Sequence, residues 1–334
     1  MLYSDRMSTR GESATATRVA VIVNPTKVDM TDLRKAVAKA EAEAGWGPSL
    51  WLETSIDDPG QERAREAIAA RVSAVLAAGG DGTVRAVAEG MLDSGIPLVL
   101  VPAGTGNLLA RNLGLPMGKL AESVGYAVSG VDHAIDAGVA DVTRADGQTE
   151  THAFVVMIGI GLDARMIAAT NDELKKRVGW LAYVEASARI VRDVDAVRVR
   201  YTLDGAAERS TTVHTLLIGN CGTLPGGVLL LPEARIDDGL LDVVAMRPRN
   251  LWGWMRVGYA VVWENGVLQR TKMGRRIIAA DKSVRALRYF QGRQMTLKFE
   301  RAEEFEIDGE SMGEVIALAV RVAPASLVVR VPQG

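Results

Sequence analysis

The chain has 334 residues, 48 % hydrophobic and 24 % charged, which is ordinary globular material for one large domain or two smaller ones. A net charge of −2 argues against a dedicated nucleic-acid binder, and a lone cysteine, Cys221, excludes an internal disulfide or a cysteine-based zinc cluster. His133, His152 and His214 are scattered, and no apolar run approaches the roughly 18 residues of a membrane-spanning helix.

Residues 1–17 are polar, rich in Ser, Thr and Ala, and lack the apolar centre of a signal peptide, so they read as a disordered lead. A cytoplasmic protein is expected. Arg18–Val23 is a short β-type run stopped by Asn24–Pro25. Thr31–Ala44 carries Leu33, Val37, Ala40 and Ala44 at helical spacing. Ser49–Glu53 predicts a second strand, Asp58–Arg71 a charged amphipathic helix, and Val72–Ala78 a buried strand. A helix from about Thr83 to Leu92 and a strand at Pro97–Val101 complete the series. Repeated βα units imply a parallel, doubly wound α/β sheet with its ligand site at the carboxyl ends of the strands.

Past residue 135 the pattern becomes β-rich, with strands expected at Ala153–Ile158, Val197–Leu203, Thr212–Ile218, Gly239–Met246, Gln294–Glu300 and Leu327–Val331. One helical stretch, Leu174–Val191, interrupts them. The expected fold class is therefore α/β plus all-β, with a nucleotide domain over 18–130 and a mostly antiparallel β domain over 131–334.

Two loops carry the chemistry. Gly79, Gly80, Asp81, Gly82 and Thr83 stand between a buried strand and a helix start, where missing Cβ atoms let backbone amides approach a phosphate. Gly104, Thr105, Gly106 and Asn107 follow the next strand, so both loops would border one crevice. The P-loop signature is absent, as is the protein-kinase motif set. Gly159–Ala164 matches the dinucleotide pattern but stands in the β-rich half without a βαβ series, and it reads as a decoy.

Val21–Lys27, Ala77–Met91 and Pro102–Pro116 resemble the catalytic domain of diacylglycerol kinases and their sphingoid-kinase relatives. The likeness continues through Ile135–Gly138, Gly159–Ala164, Glu233–Val243 and Glu306–Glu310, nearly the whole chain after residue 17. It implies a C-terminal β-sandwich and an active site between the domains. ATP, the co-substrate, would lie against Asn24, Pro25, Thr26, Lys27, Thr54, the first loop with Val84 and Arg85, and Gly104–Asn107. By the same resemblance the Asp238 side chain and main-chain oxygens near Arg235 and Leu240 would hold a structural Mg2+; read on its own, the segment is an Asp-Asp-Gly turn. Glu310 resembles the family's proton acceptor, Asp308 is its neighbour, and Asp81 would help place a catalytic Mg2+ between the phosphates. Lys27, Arg85 and Arg111 are candidate positive charges.

Where many relatives have Ser-Gly after the Asn-Pro turn, this chain has Thr26–Lys27. Where many have an acid after the second loop's Asn, it has Leu108. Arg247–Arg301 holds 13 Arg or Lys against three acids, with Trp252, Trp254, Tyr259, Trp263, Tyr289 and Phe290 interleaved, a composition suited to anionic lipid headgroups as well as to a solvated face over a core. The expected activity is transfer of the ATP γ-phosphoryl group to diacylglycerol or a similar lipid, giving phosphatidic acid in phospholipid biosynthesis. The alternatives are a sphingoid-base or other lipid-alcohol kinase, an NAD kinase, and a catalytically silent sensor. Expected partners are a membrane lipid, met peripherally, and no nucleic acid; a homodimer is an admissible state.

Overall fold

The computed structural model describes residues 18–161, 196–224, 228–248 and 287–333. The expected helix Leu174–Val191, residues Leu162–Ala164 and most of the basic segment lie outside them.

The N-terminal half is built on four parallel strands, β1 (Val19–Val23), β2 (Leu50–Glu53), β3 (Ala74–Gly79) and β4 (Leu98–Pro102), in the order β2-β1-β3-β4. Every residue of β1 and β3 is buried, the reason these strands read as unbroken apolar runs. Helix α1 (Met30–Ala44) starts where the Asp29 carboxylate accepts from the Thr31 and Asp32 amides, and it ends at Gly45, whose φ is +66°. Helix α2 (Gln61–Ala69) starts three residues later than its charge pattern suggests. Pro59 disfavours helical geometry at Asp58, and Gly60, at φ +141°, turns the chain into the helix. Helix α3 (Asp81–Met91) follows the first glycine loop, α4 (Leu108–Asn112) the second, and α5 (Leu120–Ser129) packs beside α1.

Strand β5 (Val131–Thr143) carries the chain without a break from this half into the β-rich half. There follow β6 (Thr149–Phe154), β7 (Met157–Gly161), β8 (Val197–Leu203), β9 (Arg209–Val213), β10 (Thr215–Gly219), the short pair β11 (Thr223–Leu224) and β12 (Val228–Leu229), then β13 (Leu241–Met246), β14 (Leu287–Gly292), β15 (Gln294–Ile307) and β16 (Glu310–Val331). Among these β5 to β10 and β13 to β16 pair antiparallel with one another. Gly159 and Gly161 lie in β7, paired with β10 and β15, so the dinucleotide-like motif begins as sheet.

The 22 residues of β16 bind the halves together: it pairs with β15 and β5 antiparallel and meets β4 in parallel at Val329 and Leu98. Only its last five residues read as a strand in the sequence. Pro324 breaks the pattern, and the structure accommodates it in a register shift between Ala323 and Leu327. One apolar cluster fills the parallel half and takes in Val155–Met157 and Cys221; a second, around Phe154, Ile158, Phe299 and Phe305, fills the sandwich.

Candidate active site

The loops leaving β1, β2, β3 and β4 share the carboxyl edge of the parallel sheet, with β1 and β3 flanking the point where strand order reverses. Asn24 donates its amide to Ala78 O at 2.9 Å, and its side-chain oxygen accepts from the Thr26 amide at 3.0 Å and hydroxyl at 2.7 Å. Thr54 donates its amide to Val23 O, which places it beside this turn. Pro25, Thr26 and Lys27 lie exposed on the same rim.

The two glycine loops interlock. Asp81, the first residue of α3, accepts from the Asn107 amide at 2.8 Å and the Leu108 amide at 2.5 Å, one on each carboxylate oxygen. The Asn107 side chain closes the second loop on itself, accepting from Gly104 N and donating to Gly104 O. A Cβ on Gly104 would stand 2.7 Å from Gly80 Cα, and one on Gly106 would stand 2.5 Å from Asp81 Oδ2. Close approach of backbone to backbone therefore demands glycine at 104, and the Asp81 carboxylate packed on the second loop favours it at 106. Asp81, expected to help place Mg2+, fastens one loop to the other. Leu108 supplies its amide to that fastening and buries its side chain. Arg111 donates to Gly106 O at 2.6 Å and braces the second loop.

The first turn of α3 has no side-chain cap, so the amides of Gly82 and Thr83 are available to an anion at the positive end of the helix. Thr83 packs against Gly79, where any Cβ would collide with it. Val84 donates to Gly80 O and is buried.

Arg85 lies one turn further on, 8 % exposed, and reaches two carboxylates: Glu89 at 3.4 Å and Glu310 at 3.0 Å. Its Nε is buried without a hydrogen-bond partner among the described residues. Glu310 comes from the other half of the chain, yet its carboxylate sits so close to Gly82 Cα that a Cβ there would overlap it. A side chain exposed to 48 % on the lip of the phosphate-type loop is free to meet a second substrate.

Asp308 and Glu310 do not share a face. Ile307 pairs with Glu310, and Asp308 and Gly309, at φ +50° and +86°, form the two-residue turn between β15 and β16. The Asp308 carboxylate points inward and accepts from the Val155 amide at 3.0 Å and the Val156 and Met157 amides at 2.9 Å. These amides are free because β6 stops at Phe154 and β7 starts at Met157, so the single strand expected at Ala153–Ile158 is two. Burial pushes Asp308 up to about 6, against the opposing pull of the three amides and the Arg85 charge. Glu306 takes the Gly309 amide at 2.6 Å and steadies the same turn.

The segment Arg235–Leu240 is an exposed loop held from beneath by Asp136, which the sequence reading did not single out. Asp136 accepts from Gly239 N at 2.6 Å and Ala325 N at 2.8 Å and donates its own amide to Ile236 O. An aspartate inside the apolar run of β5 was the available signal. Asp238 accepts from the Leu240 amide at 3.1 Å, and the Arg235 side chain pairs with Asp237. Among the described residues no three His, Cys, Asp or Glu side chains converge as metal ligands, so a cation here would draw on main-chain oxygens with Asp238. A buried oxygen next to the loop fits one: Asp242 Oδ2 has no donor among the described residues, and burial, with repulsion from Asp238 and Glu233, pushes Asp242 up to about 6. Uncompensated negative charge of this kind is what a hard divalent cation relieves.

Residues 18–140 match the family model described as the diacylglycerol kinase catalytic domain, and residues 156–331 match that of the YegS C-terminal NAD kinase beta sandwich-like domain. A probable YegS-like lipid kinase of Pseudomonas aeruginosa PAO1 is 28 % identical over 323 residues, covering 95 % of each chain. The diacylglycerol kinase of Bacillus subtilis 168 is 27 % identical over 245 residues, 72 % of this chain and 77 % of that protein. A crystal structure of a putative diacylglycerol kinase from Bacillus anthracis Sterne superposes with a TM-score of 0.71 at 20 % identity over 98 % of both chains, a likeness of fold.

Proposed function

Because this chain belongs to the lipid kinase family that joins a diacylglycerol kinase catalytic domain to a YegS-type C-terminal domain, we propose that it transfers the γ-phosphoryl group of ATP to the free hydroxyl of diacylglycerol, giving phosphatidic acid and ADP. One observation carries the reading. The Glu310 carboxylate stands at the uncapped first turn of α3, held by Arg85 and within reach of whatever the glycine loops cradle.

In this reading the amides of Gly80–Thr83 and Gly104–Asn107 bind the phosphates, with Asn24–Lys27 and Thr54 against the rest of the nucleotide. Asp81 keeps the two loops at fixed separation. Glu310 accepts the proton of the lipid hydroxyl as its oxygen bonds to the γ-phosphorus and the bond to the bridging oxygen of ADP breaks. Phosphoryl transfer asks chiefly for alignment and charge neutralisation, so a positioned carboxylate and a fixed cradle suffice from the protein. Asp308 acts through Glu310: by locking the turn it fixes the first residue of β16. Mg2+ at the 235–240 loop, held by Asp238 with main-chain oxygens of Arg235 and Leu240, would neutralise local negative charge and rigidify that loop. The lipid is met from the side of a membrane; among the described residues no helix is long and apolar enough to cross one.

Phosphate transfer from labelled ATP with Mg2+ tests this in mixed micelles of diacylglycerol, monoacylglycerol, sphingosine or ceramide, with NAD as a soluble acceptor. Label on diacylglycerol is expected. Label on sphingosine alone would replace the acceptor assignment, and label on NAD alone would overturn the lipid reading.

A further inference from the structure

A second feature lies within the β-rich half, at the open rim of the sandwich. Among the described strands β9 pairs only with β8 and β14 only with β13, so each presents a free edge there. Between them is a cavity of about 480 Å³ lined by Tyr201, Leu203, Ala206, Arg209, Arg288 and Phe290, among others. That size lies within the range of small-molecule sites.

The register shows which way the arginines face. Arg209 stands opposite Tyr201, and Arg288 opposite Ala245, a core residue of the sandwich. Directly paired residues share a face, so both guanidiniums come from the core-facing side of their strands. Tyr201 and Phe290 form the floor, stacked with ring centroids 6.3 Å apart and packed on the sandwich core. Glu208, next to Arg209 in the chain, is engaged by the outward-facing Arg200 and Lys298 at 3.6 and 3.8 Å. Arg209 and Arg288 have no ion-pair partner among the described residues. Inward charges on edge strands also discourage edge-to-edge association, but one per strand achieves that without a common cavity or an aromatic floor.

We propose that this rim is a binding site for an anionic lipid, its phosphate engaged by Arg209 and Arg288 and its first acyl methylenes lying on Tyr201 and Phe290. A guanidinium pair matches a phosphate in charge and geometry, and the ring faces match a hydrocarbon chain, so neither a free anion nor a neutral lipid uses the whole site. The site recruits the protein to anionic membrane and does not depend on the phosphotransfer reading.

The test is co-sedimentation of the full chain, without nucleotide, with vesicles of phosphatidylcholine alone or containing phosphatidylglycerol. R209Q/R288Q is expected to weaken binding to the anionic vesicles about tenfold. R198Q/K298Q, which removes the same charge from the outward face, should change it less than twofold. Equal losses in the two variants, or no loss in the first, would overturn the proposal. Calorimetry on the unaltered protein gives an answer that no folding defect can cloud: octyl phosphate should bind at least tenfold more tightly than inorganic phosphate. Equal affinities, or no binding of octyl phosphate, would also overturn it. Phosphorylation of dispersed dioctanoylglycerol by R209Q/R288Q should be unchanged, which separates failure of this site from failure of the kinase assignment.

Discussion

Arg85 Nη2 lies 3.0 Å from Glu310 Oε2, a contact between residues 225 positions apart that ties the first turns of α3 to the start of β16. The acid is half exposed and the arginine buried, so the guanidinium is the fixed member and the carboxylate the placed one. Replacing Glu310 by Gln keeps the shape and removes the proton acceptor. A general base contributes about 10²–10⁴-fold, so E310Q should lower kcat at least 100-fold with an unchanged melting temperature. Activity within threefold of the parent would remove Glu310 from the role.

Arg85 itself should behave differently. R85M leaves the largely buried Glu89 without its cation and frees Glu310 to swing away. Breaking a largely buried ion pair costs about 3 kcal/mol, so urea unfolding should show a loss of that order, together with a fall in kcat. Stability equal to the parent would mean that the pair contributes little to holding α3 in place.

Gly82 offers a separation of stability from activity. Alanine is favoured over glycine in a helix by about 1 kcal/mol, yet a methyl here overlaps the Glu310 carboxylate. G82A should melt no lower than the parent while losing tenfold or more in kcat. If kcat is retained, Glu310 has another productive position and the placement argued above is wrong.

The parallel half was largely legible because its signals are local. Unbroken apolar runs gave β1 and β3, and the glycine loops stood where two strands end. The contacts that finish the site were not legible. Arg85 and Glu310 meet only through the long β16, whose pattern Pro324 interrupts. Asp308 and Glu310, two apart about a glycine, fit a shared strand face or a turn equally well in sequence; the left-handed turn at Asp308–Gly309 turns one inward and leaves the other at the cleft. Asp136 serves a loop about a hundred residues away, a pairing that no local spacing encodes.

Asp308 gives a pH signature. Its folded pKa, raised to about 6 by burial, exceeds the ordinary carboxylate value of 3.8. Between those values the folded state holds the proton more often than the unfolded one, so this group's contribution to stability is greatest at low pH. It falls as pH rises through the window and stays low above it. The full change is about 3 kcal/mol at most. Measured against D308N, which cannot ionise, the parent should lose ground between pH 4 and pH 6 and hold a constant difference from pH 7 upward. A difference that does not vary with pH would show that the three amides hold the carboxylate at its ordinary value.

The loop over Asp136 yields the last expectation. If Mg2+ sits with Asp238 beside the buried Asp242 oxygen, millimolar Mg2+ should raise the melting temperature even without nucleotide. Binding of any ligand to the folded state alone stabilises by mass action, by about 2.7 kcal/mol at a hundredfold excess over Kd. D238A should abolish the Mg2+-dependent rise by removing the side-chain ligand. D242N should raise the metal-free melting temperature, because an amide in that place ends the repulsion from Asp238 and Glu233, and the increment due to Mg2+ should shrink with it. A rise in D238A equal to that of the parent would place the cation elsewhere and leave Asp238 as the cap of an Asp-Asp-Gly turn, its carboxylate occupied by the Leu240 amide alone.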